Sequence, residues 1–302
     1  MKGYGMFEVN KVGWLEKEKP VLTGGDAILR PVAVAPCSSD THMSHGGSGP
    51  RTNVILGHEA IGEIVEVADN VKNFKQGDIV VVPCVTPDWD AVPLQDPDHS
   101  EAHDHSLMGG FKFLNSKDGV FGEFFHVNNA DANLVHMPDD VTIEQALMTV
   151  DMMSTGFYGA EMAKVKLGDT VVVFGIGPVG LMAVAGAKLR GAGEIIAIVT
   201  RPNLVELAKE YGATKILSYK EGDLADQVRA LYPEGVDCTI IAGGTTDNIT
   251  QSLRMVKPGG IISNVNYYDP SETVSFPALL WGLGMSDITI TGGIQSEADT
   301  LD

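Results

Sequence analysis

Cysteine is scarce in this 302-residue chain: Cys37, Cys84 and Cys238 are odd in number and widely spaced. That excludes a disulfide framework and points to a reducing compartment, the cytoplasm. Basic residues are also few. Lys and Arg number 21 against 40 Asp and Glu, a formal charge of −19. Such a field repels a duplex or an anionic membrane surface, so neither nucleic acid nor membrane is an expected partner. No apolar run reaches the roughly 18–20 residues that cross a bilayer, and no apolar stretch follows Met1-Lys2-Gly3-Tyr4 to predict a signal peptide. Internal repeats and coiled-coil heptads are lacking too. What is present is core-forming material: 44% of residues are hydrophobic, over a length that predicts two domains at about 150 residues each.

The first half reads as β-rich and irregular. Short β-branched runs at 27–34, 54–67 and 78–82 are broken by Gly24-Gly25, Gly46-Gly47 and Gly77, the pattern of a barrel-like or twisted β domain. Residues 79–111 hold no Lys or Arg but six acids, with Pro87, Pro93 and Pro97 among them; this stretch reads as a solvated loop or lobe. A helix is predicted over 143–163, kinked at Gly156 and Gly159. Beyond Thr170, apolar strands alternate with helices: strands at 170–174, 194–199, 215–217, 237–242, 260–265 and 288–291, helices at 178–189, 203–211, 224–232 and 246–256. Fully apolar strands in this rhythm predict a parallel sheet covered on both faces, an α/β, doubly wound dinucleotide fold.

Gly175-Ile176-Gly177-Pro178-Val179-Gly180 matches G-x-G-x-x-G between the first of these strands and its helix. The first glycine allows the tight turn, the second lets backbone approach a pyrophosphate, and the third lets helix and strand pack closely. At the end of the second strand, where an acid would hold the ribose of NAD, stands Thr200-Arg201. A guanidinium there pairs with a 2′-phosphate, so NADP is the expected cofactor.

Cys37, His58 and Asp151 offer thiolate, imidazole and carboxylate, a set that suits Zn²⁺ and leaves its fourth position open for substrate. Each alone has an ordinary reading: Cys37 as a small buried apolar residue, His58-Glu59 as a surface turn, Asp151 as a helix cap. Their joint occurrence beside a nucleotide fold favours the metal.

In Gly57-His58-Glu59-Ala60-Ile61-Gly62, the trailing Ala68 and Val71, and Cys37-Ser38-Ser39-Asp40-Thr41-His42, the chain resembles the zinc-dependent medium-chain alcohol dehydrogenases, a branch of the medium-chain dehydrogenases/reductases. Within them it is similar to the NADP-dependent secondary-alcohol dehydrogenases. The stretches 86–89, 117–123 and 263–267, with Met1-Lys2-Gly3 and Gly13-Trp14, carry the subgroup likeness. The resemblance implies a GroES-like β-rich catalytic domain at 1–153, a Rossmann NADP-binding domain at 154–294, and a C-terminally truncated return segment at 295–302. It implies one catalytic zinc on Cys37, His58 and Asp151, with Glu59 as an exchangeable fourth ligand. Ser39 and His42 would form the proton relay. Cys84, Val85, Phe111, Tyr267 and Ile294 would line the substrate pocket, roomier where Phe111 replaces the family's usual tryptophan. Thr200, Arg201 and Tyr219 would hold the 2′-phosphate, and Asn266 would join the glycine turn in binding NADP. Three isolated cysteines cannot supply the second, structural zinc of some relatives, and His99, His103 and His105 among acids read as a solvated loop. Relatives are homotetramers, so a homo-oligomer is expected.

The expected activity is hydride transfer between small secondary alcohols, or some primary ones, and NADP. Two rivals stand beside it. A polyol, threonine or aldehyde-adduct dehydrogenase would need polar anchors that Val85, Phe111 and Ile294 do not offer. A truncated, non-catalytic NADPH-binding protein would have no need for the intact set Cys37, Ser39, His42, His58 and Asp151.

Overall fold

The computed structural model describes residues 1–47, 49–89, 112–269 and 271–293. The chain forms two compact units, one starting at Met1 and running to Asp151, the other starting at Met152.

In the first unit, β1 (Lys2–Glu8), β2 (Lys11–Glu16), β3 (Ala27–Ala35), α1 (Ser38–Ser44), β4 (Val54–Ile55), β5 (Glu59–Val67), β6 (Ile79–Val82), β7 (Phe125–Val127), α2 (Ala130–Asn133), β8 (Val135–His136) and α3 (Ile143–Met148) follow one another. β2, β1 and β4 make one antiparallel sheet, and β7-β3-β5-β6-β8 a second. The pairing of β3 with β5 shifts register between Pro31 and Ala33, where proline has no N–H to give the ladder. Ile61, Val81, Ala146 and Val150 bury together and pack α3 onto this sheet.

In the second unit come α4 (Ser154–Met162), β9 (Thr170–Phe174), α5 (Pro178–Leu189), β10 (Glu194–Ile198), α6 (Pro202–Tyr211), β11 (Lys215–Leu217), α7 (Leu224–Leu231), β12 (Val236–Ile241), α8 (Asp247–Met255), β13 (Val256–Asn264) and β14 (Thr289–Gly292). Their sheet order is β11-β10-β9-β12-β13-β14, parallel at every pairing. The order reverses between β9 and β12, the switch point of a Rossmann fold. Successive residues of β9 feed opposite cores. Val171 and Val173 pack with α4, α5 and α6, Val172 and Phe174 with α7 and α8. That double burial is why the strand reads as an unbroken apolar run.

Two sequence expectations need correction. The 79–111 stretch is not all solvated loop: residues 81–87 are buried, because β6 continues into a wall of the first unit before the acids begin. Residues 90–111 lie outside the described residues. The predicted helix over 143–163 does not kink at Gly156 or Gly159. Its irregularity is a π-helical turn at Thr149–Met153. The two glycines instead permit close packing, since a Cβ on Gly156 would lie 2.5 Å from Met182 and one on Gly159 3.0 Å from Ile240. Among the described residues no helix is long and apolar enough to cross a membrane.

Candidate functional site

Cys37 is the residue before α1, and its extended backbone turns the chain into that helix. His58 and Glu59 come from the turn into β5, and Asp151 from the π-helical turn after α3. One donor atom from each of these four residues lies within 4.8 Å of the others. Gly57 makes the approach workable: it adopts φ +92°, and a Cβ there would sit 2.4 Å from the Phe121 ring. The π turn does the same for Asp151. Its widened helix leaves the Val150 carbonyl to accept from the Cys84 amide at 3.2 Å, and π turns of this kind recur at functional sites.

His58 is 1% exposed and Glu59 fully buried. His58 Nε2 lies 3.4 Å from Asp151 Oδ2 and 3.9 Å from Glu59 Oε1, so this nitrogen faces the cluster. Its Nδ1 lies 3.4 Å from Asp40 Oδ1. Burial pushes the His58 pKa down, but hydrogen bonding to Asp151, Asp40 and Cys37 outweighs it and holds the imidazole well above its usual range. Burial and the Asp151 charge raise Glu59 to about 8, against the pull of His58. Both Glu59 carboxylate oxygens are buried with no hydrogen-bond partner. An orphaned carboxylate beside a thiol, an imidazole and a second carboxylate is costly without a cation. The donor set is what Zn²⁺ takes, and these residues fit it.

Asp40 is the functional residue that sequence reading passed over. It is buried, accepts from the Cys37 amide at 2.9 Å and from the Gly57 amide at 3.0 Å, and faces His58 Nδ1. It thus ties together the two segments that carry Cys37 and His58, the supporting role that outer carboxylates play at metal sites. Its place three residues after Cys37, at the spacing of a capping box, was the available signal. Ser39 Oγ lies 3.2 Å from His58 Nε2, the nitrogen that faces the cluster. His42 is exposed in the last turn of α1. Cys84 and Val85 are buried in the segment tied to the π turn. Phe111, Ile294, His99, His103 and His105 lie outside the described residues.

In the second unit, Gly175 has φ +78°, and a Cβ on it would meet Gly243 Cα at 2.5 Å. A Cβ on Gly180 would lie 2.3 Å from the Gly175 carbonyl, whereas Gly177 faces open space. Ile176 carries a carbonyl that accepts from Arg201 Nη2 at 3.4 Å. Pro178 and Val179 open α5. Thr200 Oγ1 bonds Tyr219 Oη at 3.3 Å, so Thr200, Arg201 and Tyr219 gather at one edge of the glycine turn. Glu194, the acid on the same strand, is instead bound to Lys215 and Thr214. Asn266 and Tyr267 follow β13, and the Asn266 carbonyl accepts from Asn264 Nδ2 at 2.8 Å.

A mainly β unit with a four-donor metal cluster, followed by a Rossmann unit, defines a class, and comparison with known proteins agrees. Residues 23–139 match the alcohol dehydrogenase GroES-like domain, and residues 178–300 match the zinc-binding dehydrogenase domain. The chain is 56% identical over 296 residues to an NADP-dependent isopropanol dehydrogenase of Thermoanaerobacter brockii, covering 97% of this chain and 84% of that one. It is 54% identical, with the same coverage, to one of Clostridium beijerinckii. A solved zinc dependent alcohol dehydrogenase from Streptococcus pneumonia superposes with a TM-score of 0.89 at 28% identity, over 100% of this chain and 85% of that one. The chain belongs to the zinc-binding alcohol dehydrogenase family.

Proposed function

We propose that the chain catalyses the reversible, NADP-linked oxidation of small secondary alcohols to ketones, in the cytoplasm and as a homo-oligomer. The observation that carries this reading is the cluster of half-buried Cys37 and Asp151 with buried His58 and Glu59, and its orphaned Glu59 carboxylate. The names of the similar isopropanol dehydrogenases supply the substrate class. When bound, zinc supplies Lewis-acid chemistry and NADP a hydride acceptor.

The chain's own residues do the rest. Cys37, His58 and Asp151 hold the metal, with Glu59 in reserve as a further ligand. Asp40 fixes the ring of His58. Ser39 Oγ takes the proton of the alcohol, and His42, exposed on the same helix, passes it to solvent. Buried Cys84 and Val85 offer an apolar wall that favours uncharged substrates. Gly175, Ile176, Gly177, Pro178, Val179 and Gly180 receive the pyrophosphate, Asn266 serves the cofactor further along, and Thr200, Arg201 and Tyr219 take the 2′-phosphate.

The test is propan-2-ol oxidation with NADP and with NAD, in the parent and in Arg201→Ala. A charge-assisted bond to phosphate is worth about 1.5–3 kcal/mol, so the mutant's preference for NADP falls by roughly 10- to 100-fold while turnover with NAD is kept. A parent that prefers NAD, or an unmoved ratio, refutes the assignment.

A further inference from the structure

Residues 83–89 leave β6 without regular structure, yet Cys84, Val85 and Thr86 are buried. A buried segment outside the ladders needs other partners for its polar groups. Cys84 N finds the Val150 carbonyl. The carbonyls of Thr86 and Pro87 accept from Asn128 Nδ2 at 3.2 and 2.9 Å. Pro87 also accepts from Asn133 Nδ2 at 3.0 Å, while Asn133 Oδ1 accepts from Trp89 Nε1 at 2.9 Å.

One side chain orders this bracket. Lys117 Nζ donates to Thr86 Oγ1 and to Asn128 Oδ1, each at 2.9 Å, and sits 4.2 Å from the centre of the Phe113 ring. An amide side chain can turn over, exchanging its donor for its acceptor. By occupying Asn128 Oδ1, Lys117 leaves the amide one orientation, the one in which Nδ2 faces the Thr86 and Pro87 carbonyls. We propose that Lys117 is a positioning residue that sets alcohol specificity by fixing the Cys84–Val85 wall. This rests on the assignment of those two residues to the substrate pocket. Burial, then the nearby Lys112 charge, hold the Lys117 ammonium well below the usual lysine range, against a smaller pull from Asp26. The bracket survives deprotonation, because a neutral amine keeps two N–H groups for its two acceptors.

The experiment compares the full chain, zinc-loaded, with Lys117→Met, Lys117→Arg and Thr86→Val. One readout is the ratio of kcat/KM for propan-2-ol over pentan-2-ol. The other is the rate of iodoacetamide labelling at Cys84, mapped by peptide mass, which needs no turnover. Lys117→Met is expected to shift the ratio and to speed Cys84 labelling, each by about 10-fold or more, with zinc content and the KM for NADP unchanged. Lys117→Arg, which keeps two donors, restores most of both. Thr86→Val, which keeps the volume and removes one acceptor, moves both readouts in the same direction and serves if Lys117→Met does not fold. Unchanged Cys84 labelling in a folded Lys117→Met or Thr86→Val chain overturns the proposal, and so does an alcohol ratio within about twofold of the parent. A parent that oxidises neither alcohol overturns the proposed function instead, and the labelling still decides the role of Lys117.

Discussion

Replacing Cys37 by alanine separates metal binding from cofactor binding. Cys37 is only half-buried, so its truncation alone costs the metal-free fold little, and what changes is the ligand set. A metal that binds only the folded state stabilises it by RT ln(1 + [L]/Kd), about 2.7 kcal/mol at a free concentration of 100 Kd. At about 2–4 °C per kcal/mol, that raises the melting temperature of the first unit by roughly 5–11 °C. Cys37→Ala removes the one thiolate from a group of four donors. The zinc-dependent rise should then shrink or vanish, and bound zinc should fall well below one per chain. Ketone reduction should be lost. NADPH binding should persist, because the glycine turn, Thr200, Arg201 and Tyr219 all belong to the second unit. Differential scanning calorimetry with and without zinc after chelation, elemental analysis, the rate of NADPH oxidation with acetone, and quenching of protein fluorescence by NADPH measure the four quantities. A Cys37→Ala chain that keeps one zinc, the full melting shift and parental turnover refutes the ligand assignment. A chain that loses NADPH binding as well refutes the independence of the two sites.

Three further substitutions probe the fold around the sites. Gly175→Ala places a methyl group against Gly243 at positive φ and should destabilise the second unit by about 2–5 kcal/mol. Gly177→Ala faces open space and should leave melting unchanged while weakening NADP; equal melting temperatures for the two variants would disprove the distinction. His126, packed against Asp26 at 2.8 Å, has its pKa lowered by burial and by Lys117, against the pull of Asp26. Between that lowered value and 6.5 the unfolded chain binds more protons than the folded one, so stability falls as pH drops through this window. His126→Gln should flatten the melting-temperature profile below about pH 6.5 relative to the parent; identical slopes would refute the assignment.

Much of the second unit was legible in the sequence, because its central strands β9, β10 and β12 are buried almost throughout and stand out as apolar runs between glycines. β9, α5 and β11 begin and end where the runs do. For β13 the sequence predicts a start at Gly260, since Pro258-Gly259 looks like a turn, yet the strand begins at Val256, and its pairing with β12 absorbs the irregularity between Val236 and Cys238. The first unit was harder. Several of its strands are only two to four residues long, and the mixed burial of β1 and β2 leaves the hairpin no apolar run long enough to mark it. Averaged over 79–111, the acids hid the buried start of that stretch. At the metal cluster the residue types were legible but their support was not. Asp40 is an ordinary aspartate until the fold brings Gly57 and His58 to it, and nothing in Thr149–Met153 announces a π turn.

That π turn makes the site sensitive to chain length in a way that composition does not reveal. An α-helix advances about 100° per residue, and a π turn amounts to one residue accommodated without passing that rotation on to the next turn. Deleting Thr149 or Val150 would restore a regular helix and swing the Asp151 carboxylate about 100° around the axis, away from Cys37 and His58. Substitutions in this turn are therefore a question of packing, whereas a change of one in its length is a question of helical phase, and no exchange of side chains at the other ligands can correct a ligand that points the wrong way.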